Sequence, residues 1–267
     1  MLFEPLAAAS AVLRGLTHWP NRDQLKRLLK TSSDSIVSGS GRALRLVPPD
    51  LGPGSERAGY EARLFLTGEL ETRDASWHDL LNVLAWITFP RAKAALNARH
   101  YAELDSPRTA NARTPSSDAL TLFDESGVIV ASSDRSLLQL IRDFAWKDLF
   151  WEKRDQVSAR MRFVILGHGL YEQALHPFIG LTGKALLVTV DETFFAGSLA
   201  DQLVHLDERA AAALSNGERF LGTRELTPLP ILGIPGWCEA NTAETFYDDL
   251  SYFRTGRRDR MSRVPII

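Results

Sequence analysis

One segment of the chain, SWHDLLNVLAWITF at 76–89, is apolar on nearly every face when it is drawn as a helix. A helix with almost no polar face must be surrounded by other elements, so this segment predicts a helix at the centre of a domain. Pro90 follows it directly. Because the first position of a helix needs no amide proton, Pro90 either ends the central helix or opens a second one over the Ala-rich residues 91–101.

Short apolar runs separated by turn residues indicate that strands accompany this helix. We predict strands at 43–47, 60–67, 119–123, 128–131, 163–166 and 185–190. The third and fourth runs flank the sequence Asp-Glu-Ser-Gly and predict a hairpin in which Gly127 takes a positive φ. We predict further helices at 21–29, 134–151, 170–175 and 199–214. Asn21 and Asp134 are the expected N-caps of the first two.

The expected fold class is α+β (mixed α/β), with a central sheet of several short strands packed by helices. The 267 residues suffice for one domain with a single core, 1–267. A Pro-rich C-terminal segment is expected to lie extended over that core. The polar loop at 103–117 has no apolar periodicity, so a division into two intimate lobes that meet near it stays open.

Charge and cysteine content exclude several classes of function. Thirty-one Lys and Arg residues against 33 Asp and Glu give a net charge of −2, so we expect no nucleic-acid partner. Cys238 is the single cysteine, which excludes an internal disulfide and favours a reducing, cytoplasmic location. No stretch reaches about 18 consecutive apolar residues, and Glu4 stands where a signal peptide carries positive charge. We therefore expect a soluble protein with no membrane span.

Two sets of polar side chains lie on the two predicted central helices. The first set is His78, Asp79 and Asn82, and the second is Lys93, Asn97 and His100. Each set shares one side of its helix. The first forms either an internal hydrogen-bond network, with Asp79 near the positive helix N-terminus, or a metal or substrate site. The second forms either part of such a site or a solvated face.

The sequence Gly167-His168-Gly169 follows one predicted strand and precedes a predicted helix. A side chain at such a junction is presented in a crevice at the carboxyl end of a sheet. The N-terminus of a helix disfavours imidazolium, so we expect His168 to be neutral and able to act as a base or metal ligand. Glu172, four residues on, is expected to orient the ring. The alternative is a tight glycine-lined packing corner around a hydrogen-bonded core histidine.

Three carboxylates, Asp118, Asp124 and Glu125, lie around the predicted hairpin. Added to a histidine site they suit Zn, Mn or Fe, although acidic residues in a turn are commonly just solvated. The sequence lacks the motifs of other active-site chemistries. Gly183-Lys184 has no phosphate loop around it, no Gly-x-Ser-x-Gly elbow occurs, and the neighbours of Cys238 are apolar or acidic rather than cationic.

Several stretches carry a resemblance to a known family. They are WHDLLNVLAWITFPRAKAALNARH, DALTLFDESGVIVASSD, MRFVILGHGLYEQAL and LPILGIPGW followed by FYDD. In combination they resemble a bacterial family filed as a domain of unknown function, number 3025, from about Tyr60 to Arg254. The resemblance implies no activity and no catalytic residues, so the functional hypothesis depends on the residues themselves.

We expect a small-molecule enzyme, specifically a metal-assisted hydrolase that uses a divalent Zn, Mn or Fe ion. The expected metal ligands are His78, His100, His168 and Asp124. The expected catalytic residues are His168, Glu172 and Asp79. The alternative is a non-catalytic protein that binds a ligand or a partner, a homo-oligomer included, in which these polar groups hold the fold together. Trp77, Trp86, Trp146, Trp151 and Trp237 would then anchor its core and interfaces.

Overall fold

The computed structural model describes residues 2–31, 35–49, 57–104, 114–256 and 265–267. Its helices are α1 (Arg22–Thr31), α2 (Arg57–Thr67), α3 (Trp77–Thr88), α4 (Pro90–Leu104), α5 (Pro115–Ser126), α6 (Arg135–Arg142), α7 (Arg154–Arg160), α8 (His168–Ala174) and α9 (Leu199–Ser215). Its strands are β1 (Arg45–Val47), β2 (Glu69–Glu71), β3 (Gly127–Ser132), β4 (Met161–Ile165), β5 (Thr182–Thr189) and β6 (Thr227–Pro230). The fold class is α+β, as predicted.

A central sheet has the strand order β4-β3-β5-β6. β3 is parallel to β5 and antiparallel to β4, and β6 is antiparallel to β5. Along β3, Val128 and Val130 face one apolar cluster, whereas Ile129 and Ala131 face another. Every residue of β3 is buried, so both faces of the sheet are covered.

The two clusters define the layers on either side of the sheet. One face is packed by α4, α5 and α9, which contribute Leu96, Phe123 and Leu206. The other face is packed by elements that include α3, α6 and α8. The predicted central helix is confirmed as α3: Ser76 accepts a hydrogen bond from the Asp79 N–H and caps it, and Pro90 opens α4 as its first residue.

A separate parallel pair consists of β1 and β2, with Leu46 opposite Leu70. The strand predicted at 60–67 is wrong, because these residues belong to α2 and bury Leu64. A short apolar run does not by itself distinguish a strand from one face of a helix. The helix is followed by Gly68, which has a φ of 74° and lies so close to the residues before β1 that a Cβ there would be 2.3 Å from the Ala43 oxygen.

The hairpin predicted around Gly127 is also wrong. Residues 119–123 lie in α5, and β3 begins directly after that helix. The overlooked signal is at the start of α5, where the Thr114 hydroxyl caps the helix and Pro115 occupies its first turn. Gly127 has a φ of −65°, so a close approach rather than a positive φ requires glycine: a Cβ would lie 2.4 Å from the Phe123 oxygen.

The long helix predicted at 134–151 is capped by Asp134 as expected, but it is interrupted. α6 ends at Arg142, Phe144 takes a left-handed φ of 57°, and a π-helical turn follows at Asp148–Glu152. Because the helix is interrupted, the side chains of Phe144 and Trp146 pack with Phe150 in an aromatic cluster. Tertiary packing therefore overrides the helical pattern here.

The Pro-rich C-terminal segment lies over the core, as predicted, but beyond β6 it forms short 3-10 helices rather than an extended chain. It supplies β6, and beyond that strand Tyr247, Tyr252 and Phe253 are buried in the same cluster as Val128. In the predicted loop at 103–117, residues 105–113 lie outside the described residues, and Pro115 already belongs to α5. Across the described part of the chain, no helix is both long and apolar enough to cross a membrane.

Candidate metal centre

Two helices bring His78 and His168 into direct contact. His78 lies in the first turn of α3, and His168 is the first residue of α8, just beyond β4. The Nε2 atoms of the two rings are 3.1 Å apart, and the ring planes meet at 71°. His168 is 3% exposed, whereas about a third of the His78 side chain is exposed. The pair therefore joins the buried core to the protein surface.

A third donor comes from Glu125, near the end of α5. Its Oε2 lies 3.7 Å from His168 Nε2, and donor atoms of His78, Glu125 and His168 all lie within 4.8 Å of one another. Two ligands of a tetrahedral Zn²⁺, each at about 2.0–2.1 Å from the ion, lie about 3.3 Å apart. Two of the donor spacings, 3.1 and 3.7 Å, are close to this value, and the third is at most 4.8 Å.

Both imidazoles have a carboxylate behind the nitrogen that faces away from the centre. Glu172 was expected to orient His168, but its Oε2 instead lies 2.9 Å from His78 Nδ1. His168 Nδ1 lies 3.9 Å from Asp124 Oδ2. The second distance is too long for a hydrogen bond, and His168 Nδ1 has no such partner among the described residues. Carboxylates behind metal-bound histidines fix the ring orientation and raise the basicity of the ligand.

The glycines beside His168 allow α8 to approach the junction of α5 and β3. At Gly167, a Cβ would lie 2.5 Å from backbone atoms of Glu125 and Ser126. At Gly169, a Cβ would lie 2.4 Å from Glu125 Oε2 itself. The corner is therefore tightly packed, as one interpretation of the sequence expected, and this packing holds Glu125 beside His168.

A buried ion pair lies behind His168. Lys93, which is 3% exposed, donates to Asp124 Oδ1. Burial raises the pKa of the Asp124 carboxyl, but the Lys93 ammonium and the neighbouring histidines outweigh it and hold that pKa at about 2. Burial, followed by the charge of Lys93, lowers the pKa of the His168 imidazole to about 3. Asp124 is therefore ionised and His168 neutral near pH 7.

The second polar set is buried, so its interpretation as a solvated face is wrong. Lys93 binds Asp124, and Asn97 Nδ2 donates to the backbone oxygen and the carboxylate of Glu61. Asn97 Oδ1 also accepts from the Gly39 N–H. His100 is 7% exposed and, within the described residues, is not part of the group of three converging donors. This set ties α4 to its neighbours.

The first polar set divides between two places. His78 reaches the candidate centre, whereas Asp79 binds Arg73 through the backbone N–H and through two guanidinium nitrogens at 2.9 and 2.7 Å. Asn82 lies 3.5 Å from the Tyr60 hydroxyl. Asp118 is exposed in the first turn of α5. Asp79 and Asn82 therefore contact the surrounding structure rather than the histidine pair.

Strand register explains why Glu125 meets His168. β3 and β4 are antiparallel, with Val128 opposite Ile165. Beyond this pair, the N–H groups of Leu166 and Gly167 donate to the Gly127 oxygen, which brings the end of α5 close to the start of α8. The sequence signal was available, since an acidic pair precedes one buried strand and a histidine follows the other. The sequence analysis named Glu125 among the carboxylates that could join a histidine site, but it placed them around a hairpin instead of at the end of α5.

One family model matches residues 44–257 of the chain, and its description is protein of unknown function (DUF3025). No curated protein and no solved structure matches the chain.

Proposed function

The chain belongs to the DUF3025 family, whose description assigns no activity, and from its site we propose that the protein is a metal-dependent hydrolase of a small molecule. In this proposal the Nε2 atoms of His78 and His168 and a carboxylate oxygen of Glu125 bind one divalent cation. The observation that carries the proposal is the convergence of these donors within 4.8 Å of one another.

The donor set favours Zn, Mn or Fe, because two imidazoles and one carboxylate suit these ions and leave positions for water and substrate. Glu125 replaces two of the ligands expected from the sequence. His100 is outside the converging group, and Asp124 faces the far nitrogen of His168 while it neutralises Lys93. Asp124 is therefore not a ligand in this proposal: it compensates the charge of Lys93 and lies 3.9 Å behind His168 without a hydrogen bond to it.

The proposed chemistry is attack of water on a carbonyl of the substrate, at a site where His78, His168 and Glu125 would hold the cation. A cation in this site would polarise the carbonyl and lower the pKa of the water. The side chains of His78, Glu125 and Glu172 are each about one third or more exposed, so water and substrate can approach from that side. Glu172 positions His78 and is our candidate for accepting the proton of the attacking water. Asp79 has no such role, because Arg73 engages both its oxygens.

The first test is the metal content of protein purified without a histidine tag and measured by elemental analysis. We expect about one equivalent of Zn, Mn or Fe in the wild type. His78→Ala, His168→Ala and Glu125→Ala should each lose it while keeping the circular dichroism spectrum of the fold. The matched control is His176→Ala, since His176 is exposed just after α8 and is outside the converging group. The control should retain the metal.

Hydrolysis is then measured on ester and amide substrates with the metal-loaded protein and after chelation. Activity that chelation removes and the same metal restores supports the proposal. A wild type that binds none of the three metals, even after reconstitution, would overturn it. Stoichiometric metal without hydrolysis would favour the alternative of a non-catalytic binding protein.

We also propose a cytoplasmic location. Its support is the single cysteine, Cys238, which is typical of a reducing compartment.

A further inference from the structure

An apolar groove, called here the α3 groove, lies between α3 and residues 3–20 and has a volume of about 630 Å³. Leu80, Leu81 and Leu84 of α3 line it on one side, and Leu6 and Leu13 line it on the other. None of the lining residues is acidic, and Arg14 is the one among them with a fixed charge. Sites for small molecules have volumes of roughly 300–1,000 Å³ and mostly apolar walls, so the groove has the properties of a ligand site.

Three large aromatic side chains at the groove are exposed to solvent. Phe3, Trp19 and Trp77 are 36%, 38% and 48% exposed, and the rings of Trp19 and Trp77 are 4.8 Å apart. Exposed apolar side chains are normally scattered singly, whereas their grouping around a concave surface marks a binding site. The exposed aromatic groups indicate that the occupant of the groove is itself apolar.

The α3 groove and the candidate metal centre share two structural elements, α3 and the end of α8. Leu81 lies three residues after His78 on α3, and Leu175 lies three residues after Glu172 at the end of α8. Residues three apart share one face of a helix and are separated by about 4.5 Å along its axis. Because His78 and Glu172 are hydrogen-bonded to each other, the groove begins about one helical turn from the centre.

We infer that the α3 groove binds the apolar acyl group of the substrate whose carbonyl is hydrolysed at the metal centre, an inference that rests on the proposed function. From Trp77 to Leu84 the groove follows α3 for about 10 Å, which suits an aliphatic chain of medium length. Water adds to the carbonyl and the bond to the leaving alcohol or amine breaks, so the products are an aliphatic carboxylic acid and that alcohol or amine.

The kinetic test compares p-nitrophenyl butyrate with p-nitrophenyl octanoate on the metal-loaded protein. We expect kcat/KM to be at least about tenfold higher for the octanoate, mainly through a lower KM, because the additional methylenes leave water. Trp77→Glu should lower the octanoate value about tenfold more than the butyrate value. The control Leu250→Glu changes another exposed apolar residue away from the groove. It should alter neither kcat/KM for either ester nor the ratio of the two values.

A binding measurement separates this inference from the proposed function. Free octanoate is titrated by calorimetry into the wild type, Trp77→Glu and the ligand variant Glu125→Gln. Binding that Trp77→Glu weakens and Glu125→Gln retains supports the groove, even in a protein that shows no hydrolysis. Hydrolysis with equal kcat/KM for both esters would overturn the groove inference and leave the proposed function standing. No octanoate binding by the wild type would overturn the groove inference as well.

Discussion

At the scale of single residues, the ion pair between Lys93 and Asp124 is a buried charged contact directly behind the candidate metal centre. Both groups are removed from most solvent, and Asp124 lies behind His168. Removing one partner of a buried pair leaves an uncompensated charge, whereas removing both charges is often nearly neutral. Each partner therefore compensates the buried charge of the other.

We expect Lys93→Met to lower the free energy of unfolding by about 3–5 kcal/mol, because the Asp124 carboxylate is then buried without its cation. The double variant Lys93→Met/Asp124→Asn should recover most of that loss. Urea denaturation at pH 7 measures both. A single variant as stable as the wild type would contradict the assignment of this pair as buried and mutually compensating.

At the scale of elements, α9 holds the start of α4 through one carboxylate. Asp207 is 1% exposed, and its oxygens accept hydrogen bonds from the N–H groups of Arg91 and Ala92 in the first turn of α4. This contact satisfies amide groups that a helix N-terminus leaves without intrahelical partners. Burial, only partly offset by these hydrogen bonds, raises the pKa of the Asp207 carboxyl to about 6.

The raised pKa predicts a pH dependence of stability. The folded chain holds the Asp207 proton up to about pH 6, whereas the unfolded chain releases it near pH 4. The contribution of Asp207 is therefore fully present below about pH 4 and is lost as the pH rises to 6. Between these values we expect the stability of the wild type to fall relative to Asp207→Asn, by on the order of 2–3 kcal/mol.

The measurement is urea denaturation of both proteins at several pH values between 3.5 and 7, compared as a difference so that the other titrating groups cancel. A difference that stays constant, or that rises with pH, would show that the pKa of Asp207 is not raised in the folded protein.

At the scale of the whole molecule, the C-terminal segment is joined to the core by Asn241, which is fully buried. Its Nδ2 donates to the backbone oxygens of Leu232 and Ile234, and its Oδ1 accepts from Arg154. The same segment buries Tyr247 and Phe253 against the sheet. This network links α7 to a segment that has few regular backbone hydrogen bonds of its own.

We expect Asn241→Ala to lower the free energy of unfolding by about 2–4 kcal/mol, because two carbonyl groups and the Arg154 guanidinium lose a buried partner. Thr242→Ala is the control, since the Thr242 hydroxyl makes an exposed hydrogen bond to Glu239. Guanidinium denaturation and amide hydrogen exchange of residues 231–253 are the measurements. If Asn241→Ala and the control were equally stable, the network would not hold the segment.

The sequence alone determined the elements whose signals are local. The central helix α3 was predicted because its residues are apolar on nearly every face, which is not expected of an exposed helix. The start of the neighbouring helix α4 was predicted from Pro90. The caps at Asn21 and Asp134 depend on side chains within three residues of the amides they accept from. A continuous apolar run predicted the strand at 163–166, which is covered on both faces and corresponds to β4. His78 and His168 were identified because a polar group on an apolar element needs a partner.

Only the tertiary structure decided how these elements meet. The short runs at 60–67 and 119–123 are helical because their apolar residues pack against neighbours distant in the chain, which local periodicity does not encode. The convergence of His78, Glu125 and His168 depends on the antiparallel register of β3 and β4 and on the packing of α3 against α8. His100 and Asp79 are of the same residue types as possible metal ligands, but they do not join the converging group. His100 lies on a different helix, α4, and Asp79 binds Arg73. The residue types identify the candidate metal donors. Only the distances between segments far apart in the sequence show which of these donors converge.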